Sequence, residues 1–202
     1  AFCFIFRNLL RMTKIASTRS FNCAPFCGTA GLALAICATL LVSCANADDV
    51  IKHSFLGCGK ANRAVIVDED GKVQWKYDKP TSDGWVLGNG NVLLALYPTQ
   101  GFPNGGVVEV ERATKETVFE YQGQQKEIST VQQLADDRYL VAELGSEPRA
   151  IVINRSGKIL HKMPFQCQKG NAHMQTRMLR VLPSGNYIAP HLLDFAVKEY
   201  EP

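Results

Sequence analysis

Three segments of this chain are copies of one another, and their spacing limits the fold more than any other feature. They are WVLGNGNVLLALY (85–97), VQQLADDRYLVAEL (131–144) and LRVLPSGNYIAPHL (179–192). With the alanine of each as a marker, Ala95, Ala142 and Ala189 stand 47 and 47 residues apart. A second, independent marker lies in RAVIVDEDGKVQWKY, which recurs as GVVEVERATKETVFEY, RAIVINRSGKILHKM and FAVKEYEP. Val67, Val110, Ile153 and Tyr200 align there, with gaps of 43, 43 and 47. Two markers agreeing on a period of 40-odd residues point to stacked repeats, none of which buries its apolar face alone.

Each repeat reads as four short strands. In the first complete copy these are a (GWVLG), b (NVLLALY), c (GVVEVE) and d (TVFEYQ). GNGN at 88–91 is the turn from a to b, with LADDR and LPSGN as its copies; DEDGK and NRSGK are turns from c to d. Asp and Asn accept turn geometry and Gly supplies the left-handed position. VVEVE alternates as a strand should, and helical periodicity is nearly absent after Asp48. Four antiparallel strands in 40-odd residues make one blade of a β-propeller; a flat sheet or sandwich does not explain so regular a period. The expected fold is therefore all-β, a β-propeller of four-stranded blades. KHSFLGCG before RAVIVD reads as a strand b without a strand a, so the blades carry three, four, four and three strands. That is about half of a seven-blade ring, which at this period takes roughly 300 residues. The expectation is a partial propeller over 48–202, two complete and two incomplete blades, from a truncated or split product.

Residues 1–47 read as a signal-peptide region. Arg7, Arg11, Lys14 and Arg19 precede the apolar run AGLALAICATLLV (30–42), and small residues follow. At 13 residues the run is short for a membrane span and has the layout of a secretory leader. ANA (45–47) suits cleavage before Asp48; LVSC (41–44) resembles a bacterial lipoprotein signal with Cys44 as the lipidated residue. Both readings stay open, and translation starting at Met12 fits either. The expected location is periplasmic, cell-surface or extracellular, with membrane attachment only through the leader or a lipid on Cys44. Net charge is +3, from 22 basic and 19 acidic residues, and the leader's four cations account for the excess. No basic stripe is left beyond it, which argues against nucleic acid. Cys58 and Cys167 are the two cysteines beyond the leader. An exported protein can oxidise such a pair, but neither has metal-ligand spacing around it.

WVLGNGNVLLA, GVVEV, VFEY, VLPSGNYIA and DEDGKVQWKY resemble the blades of bacterial exported propellers of the PQQ-like and arylsulfotransferase-like group, over Lys52 to Pro202. LADDR lacks that group's Pro-Asn-Gly turn. The resemblance implies an exported propeller, often a binding or scaffold module. Some relatives are enzymes: quinoprotein dehydrogenases use an acidic base and Ca²⁺ around pyrroloquinoline quinone, and arylsulfotransferases use a transiently sulfated histidine.

In a propeller the innermost strands and their loops face the central channel, where ligands bind. The matching positions are Asp83, Trp85, Ser129, Gln132, His173 and Gln175. They suit directional hydrogen bonds to a polar small molecule, glycan or protein, and are equally compatible with ordinary solvated loop positions. His173 is the best candidate for acid–base or nucleophilic work, because imidazole titrates near neutral pH. His53 and His161 read as strand b and d positions at the surface or between blades, and His191 as the end of a strand b. No catalytic motif is present, and no metal site or cofactor is expected for a binding module. PQQ with calcium belongs to the alternative, an exported propeller enzyme.

Overall fold

The computed structural model describes residues 52–61 and 63–202; the leader, with its two cleavage readings, Met12 and Cys44, lies outside the described residues. Within them, fourteen strands form four antiparallel sheets in strict chain order. Blade I holds β1 (Phe55–Gly59), β2 (Arg63–Val67) and β3 (Val73–Tyr77). Blade II holds β4 (Thr81–Val86), β5 (Val92–Leu96), β6 (Gly106–Val110) and β7 (Thr117–Gln122). Blade III holds β8 (Glu127–Gln133), β9 (Arg138–Leu144), β10 (Arg149–Asn154) and β11 (Ile159–Pro164). Blade IV holds β12 (Arg180–Val181), β13 (Tyr187–His191) and β14 (Ala196–Tyr200). This is the propeller arrangement expected from the repeats, with sheets of three, four, four and three strands and no closure into a ring among the described residues.

The turns repeat down to single hydrogen bonds. Between strands a and b, the amides of Leu87, Leu134 and Leu182 donate to the carbonyls of Asn91, Arg138 and Asn186 at 2.8, 2.7 and 2.7 Å. Gly90 and Gly185 take the left-handed position at φ 88° and 93°; in the copy without glycine, Asp136 and Asp137 take it at 58° and 52°. Between c and d, the carboxylate of Asp68 accepts from the amides of Asp70 and Lys72, and the Asn154 side chain accepts from Ser156 and Lys158 in the same pattern. Short side chains that bond two and four residues ahead close these turns locally. The c–d pairs of blades I, II and III each slip register at the same place, between Ile66 and Val67, Glu109 and Val110, and Val152 and Ile153.

These bonds correct one sequence alignment. The turn residues Asn91, Arg138 and Asn186 are spaced 47 and then 48. Ala189 therefore matches Val141, and Pro190 is the true counterpart of Ala95 and Ala142. A slip of one residue moves a side chain to the opposite face of a strand. Ala189 accordingly packs back against blade III, in one cluster with Leu140, Ala142 and Tyr187.

Three apolar clusters separate the blades. Leu56, Ile66 and Trp75 of blade I meet Leu94, Leu96 and Val108 of blade II. Leu93, Val107 and Phe119 of blade II meet Ile128, Tyr139 and Ile151 of blade III. Leu140, Val152 and Met163 of blade III meet Tyr187 and Ala189 of blade IV and Leu179 just before it. Blade II is thus covered on both faces, and β6 is buried at every position, including Glu109. The alternation in VVEVE marks a strand with two different buried neighbours, not a wet face and a dry one. Glu109 is tolerated because Tyr139 donates to it at 2.8 Å, Arg155 at 2.9 Å and Asn91 at 2.7 Å.

Candidate functional site

Strands β4, β8 and β12 open their sheets and lie side by side through side-chain bonds from each blade to the next. Ser82 Oγ donates to the Ile128 carbonyl at 3.0 Å, and Trp85 Nε1 donates to the Val131 carbonyl at 2.6 Å. The Val131 amide donates to Asp83 Oδ2 at 3.2 Å, and the Val181 amide donates to Gln132 Oε1 at 3.0 Å. Trp85 pairs with Leu93 and Gln132 with Leu140, so the two occupy the same position in successive blades. Arg180 of blade IV reaches past blade III to blade II: its Nη1 and Nη2 donate to Asp83 at 2.9 and 3.0 Å, and its guanidinium lies 4.9 Å from the Trp85 ring centroid. Burial pushes the Asp83 carboxyl upward in pKa, against the pull of Arg180 and of the Val131 and Gly84 amides. Three of the sequence candidates, Asp83, Trp85 and Gln132, thus share one network centred on β8.

Ser129 is buried and pairs with Thr130 at 3.1 Å. Gln175 is also fully buried, with its amide satisfied on both sides. It accepts from the Gly145 amide at 2.9 Å and donates to the Gly145 and Lys169 carbonyls at 2.8 and 3.0 Å. It pins the long link between blades III and IV.

His173 stands elsewhere, at the sheet end where β8 begins. The Asn171 side chain caps the 3-10 turn Ala172–Met174 by accepting from the His173 amide at 3.0 Å. His173 Nδ1 meets the Glu127 carboxylate at 3.1 and 3.2 Å. Arg177 Nη1 donates to the same carboxylate at 2.9 Å, and Arg177 Nη2 contacts His173 Nδ1. The Tyr97 ring closes the cluster, 5.6 Å from the imidazole and 5.8 Å from the guanidinium. The His173 side chain stays 47% exposed, while that of Glu127 is 11% exposed. With Nδ1 turned to Glu127 and Arg177, the ring is held in place and Nε2 is the nitrogen left to hydrogen-bond a ligand.

Glu127, Arg177, Tyr97 and Arg180 were not among the sequence candidates. Their partners lie up to 97 residues away, between Asp83 and Arg180, and only the blade stacking brings them together. One usable signal existed: Glu127 opens strand a of blade III, a charged residue at the start of an inner strand. His191 is buried in a joint between strands and the long link, bonded to the Gln175 carbonyl at 3.0 Å and the Tyr200 hydroxyl at 2.7 Å. His53 precedes β1 and His161 lies on β11, both exposed. Cys58 and Cys167 are not joined to each other. No helix among the described residues is long and apolar enough to cross a membrane.

Solved structures share the fold. A protein of unknown function from Bacteroides caccae is 21% identical, over 73% of this chain and 53% of its own, with a TM-score of 0.61. The WD40 β-propeller domain of Doa1 is 12% identical, over 74% of this chain and 47% of its own, with a TM-score of 0.57. The chain spans about half the length of these two structures. No family model and no curated protein matches it. At these identities the likeness concerns the fold: the described segment is a β-propeller segment.

Proposed function

We propose that this chain is part of an exported β-propeller binding module, secreted or lipid-anchored, that takes a polar ligand at the face where its inner strands begin. The observation that carries the reading is the contrast between two kinds of candidate. Asp83, Trp85, Gln132 and Gln175 give their polar groups to neighbouring backbone or to Arg180. His173 is half exposed, fixed through Nδ1 by Glu127, and backed by the Tyr97 ring. His173 Nε2 is the ligand contact; Glu127 and Arg177 are positioning groups. A small molecule, glycan or protein with an exposed hydrogen-bonding group fits. The leader, with its basic start, apolar run and ANA or LVSC ending, supports export.

The test is a glycan and metabolite screen on the purified full chain, read by NMR of the histidine rings. Hits should shift the His173 ring, and His173→Ala should weaken them by about fivefold, one lost hydrogen bond of about 1 kcal/mol. Hits that bind with equal affinity to His173→Ala would overturn the assignment.

The Glu127–His173 pair also favours a second reading, an exported propeller enzyme in which the imidazole exchanges protons or acts as nucleophile. The two readings separate on one variant. In an enzyme, His173→Ala abolishes turnover while binding largely persists. The quinone-and-calcium version is less favoured, because Asp83 and Glu127, the acids of the inner strands, are each held by an arginine.

A further inference from the structure

A cleft that shares no lining residue with the His173 cluster lies where the ends of blade III meet the link to blade IV. Its cavity measures about 300 Å³, and its lining combines Pro148, Pro164 and Phe165 with the charged side chains of Glu147, Arg149, Lys162 and Lys169. Phe165 is buried, its ring packed against those of His191 and Tyr200 at centroid distances of 5.3 and 5.7 Å. The Phe165 amide donates to the Pro148 carbonyl at 2.8 Å, which locks the two ends of the cleft together. Phe165 and Pro148 of the floor are therefore held together.

The charges around it are unevenly used. Arg149 is committed to the buried Glu143, through Nε at 2.9 Å and Nη2 at 2.7 Å. Glu147 is well exposed and only 3.8 Å from Arg149 Nη1, a weak solvated pair. Lys162 and Lys169 are exposed and belong to none of the ion pairs among the described residues. Two ammonium groups outside any ion pair thus line the cleft beside an apolar floor, with the exposed Glu147 as the one carboxylate in the lining. Long lysine stems carry charge to a ligand headgroup while lining the apolar body beneath it.

We propose that this cleft is a binding site for an organic anion with an apolar ring or chain, whose phosphate, sulfate or carboxylate head is held by Lys162 and Lys169 and whose body rests on Phe165, Pro148 and Pro164. The site is linked to the His173 cluster. The Lys169 carbonyl accepts from Gln175 Nε2 at 3.0 Å, and Asn171 caps the turn that carries His173. Holding Lys169 therefore steadies the link that positions His173. The assignment does not depend on His173 having any ligand of its own.

The experiment is an amide-resolved NMR titration of the full chain with phenyl phosphate, inorganic phosphate and phenol as separate probes. Phenyl phosphate should give saturable shifts at Glu147, Arg149, Lys162, Phe165 and Lys169, with smaller shifts reaching Asn171 and His173. The double variant Lys162→Gln/Lys169→Gln changes two exposed side chains and should keep the fold, seen as unchanged dispersion elsewhere. It should bind phenyl phosphate about tenfold more weakly, for the loss of two charge-assisted contacts. Shifts spread over the surface, or affinity unchanged in the double variant, would overturn the site. Inorganic phosphate binding as tightly as phenyl phosphate would overturn the role of the apolar floor, and phenol binding as tightly would overturn that of the lysines.

Discussion

Replacing Glu109 by glutamine should remove a definite share of stability, and only above a definite pH. Glu109 is buried in β6 between blades II and III. Burial alone raises a carboxyl pKa, yet donation from Arg155, Asn91 and Tyr139 outweighs it and brings the group from its ordinary 4.5 down to about 2. A shift of that size corresponds to roughly 3 kcal/mol, at about 1.36 kcal/mol per unit. The folded-state pKa is depressed, so the unfolded chain takes up its proton first as pH falls. The contribution is fully present above 4.5 and is lost as pH drops towards about 2. Glutamine keeps one acceptor but turns an amide donor towards Tyr139 and Arg155, so it does not replace the carboxylate. Urea unfolding at pH 7, 5 and 3 should show Glu109→Gln less stable by roughly 3 kcal/mol at the first two, with the gap closing at the third. A gap that stays constant from pH 7 to 3 would refute the electrostatic account and leave packing as the cause.

Other perturbations separate the joints from the site. Asp83→Ala leaves Arg180 without its partner and should cost about 3 to 5 kcal/mol in unfolding experiments, the range for breaking a buried pair. Trp85→Phe should cost about 1 kcal/mol for the bond to the Val131 carbonyl, without changing ligand affinity in the screen. Burial lowers the pKa of His191, so the fold should lose stability as pH falls below the ordinary 6.5, and His191→Asn should flatten that step in a pH series of melting curves. Exported protein should begin at lipid-bearing Cys44 or at Asp48 in intact-mass measurement; an unprocessed chain in the cytoplasm would contradict both.

The strands and turns were legible because their determinants are local. DEDGK and NRSGK carry their own closing bonds, Asp68 and Asn154 each reaching two and four residues ahead. The face assignment in blade IV was less legible. An alanine is a poor register mark, and LPSGNYIAPHL holds one in the wrong place by one residue, as the Leu182–Asn186 bond and the packing of Ala189 reveal. The site was legible in part for a different reason. His173 stands out by its chemistry alone, but Glu127 and Tyr97 come to it from 46 and more residues away, while Arg177, four residues on in the same link, joins the cluster by also reaching Glu127. The bonds of the His173 cluster are made once, in one joint, and so leave no periodic trace.

The inner strands show why polar residues there are a weak guide to binding. Trp85 and Gln132 occupy one position in successive blades, and each uses its side chain to bond the backbone of the following inner strand. A propeller blade has no backbone ladder to its neighbour, so blade-to-blade register depends on side chains of this kind together with the apolar clusters. An inward polar residue at that position is required by the stacking whether or not a ligand exists. The segment that enters β12 divides its side chains: Gln175 is buried and ties the link to Gly145, while His173, its amide capped by Asn171, stays half exposed. Function in this fold is therefore sought at the entry of a strand rather than along it. For that reason His173 with Glu127, rather than Asp83 with Gln132, is where a ligand should be looked for.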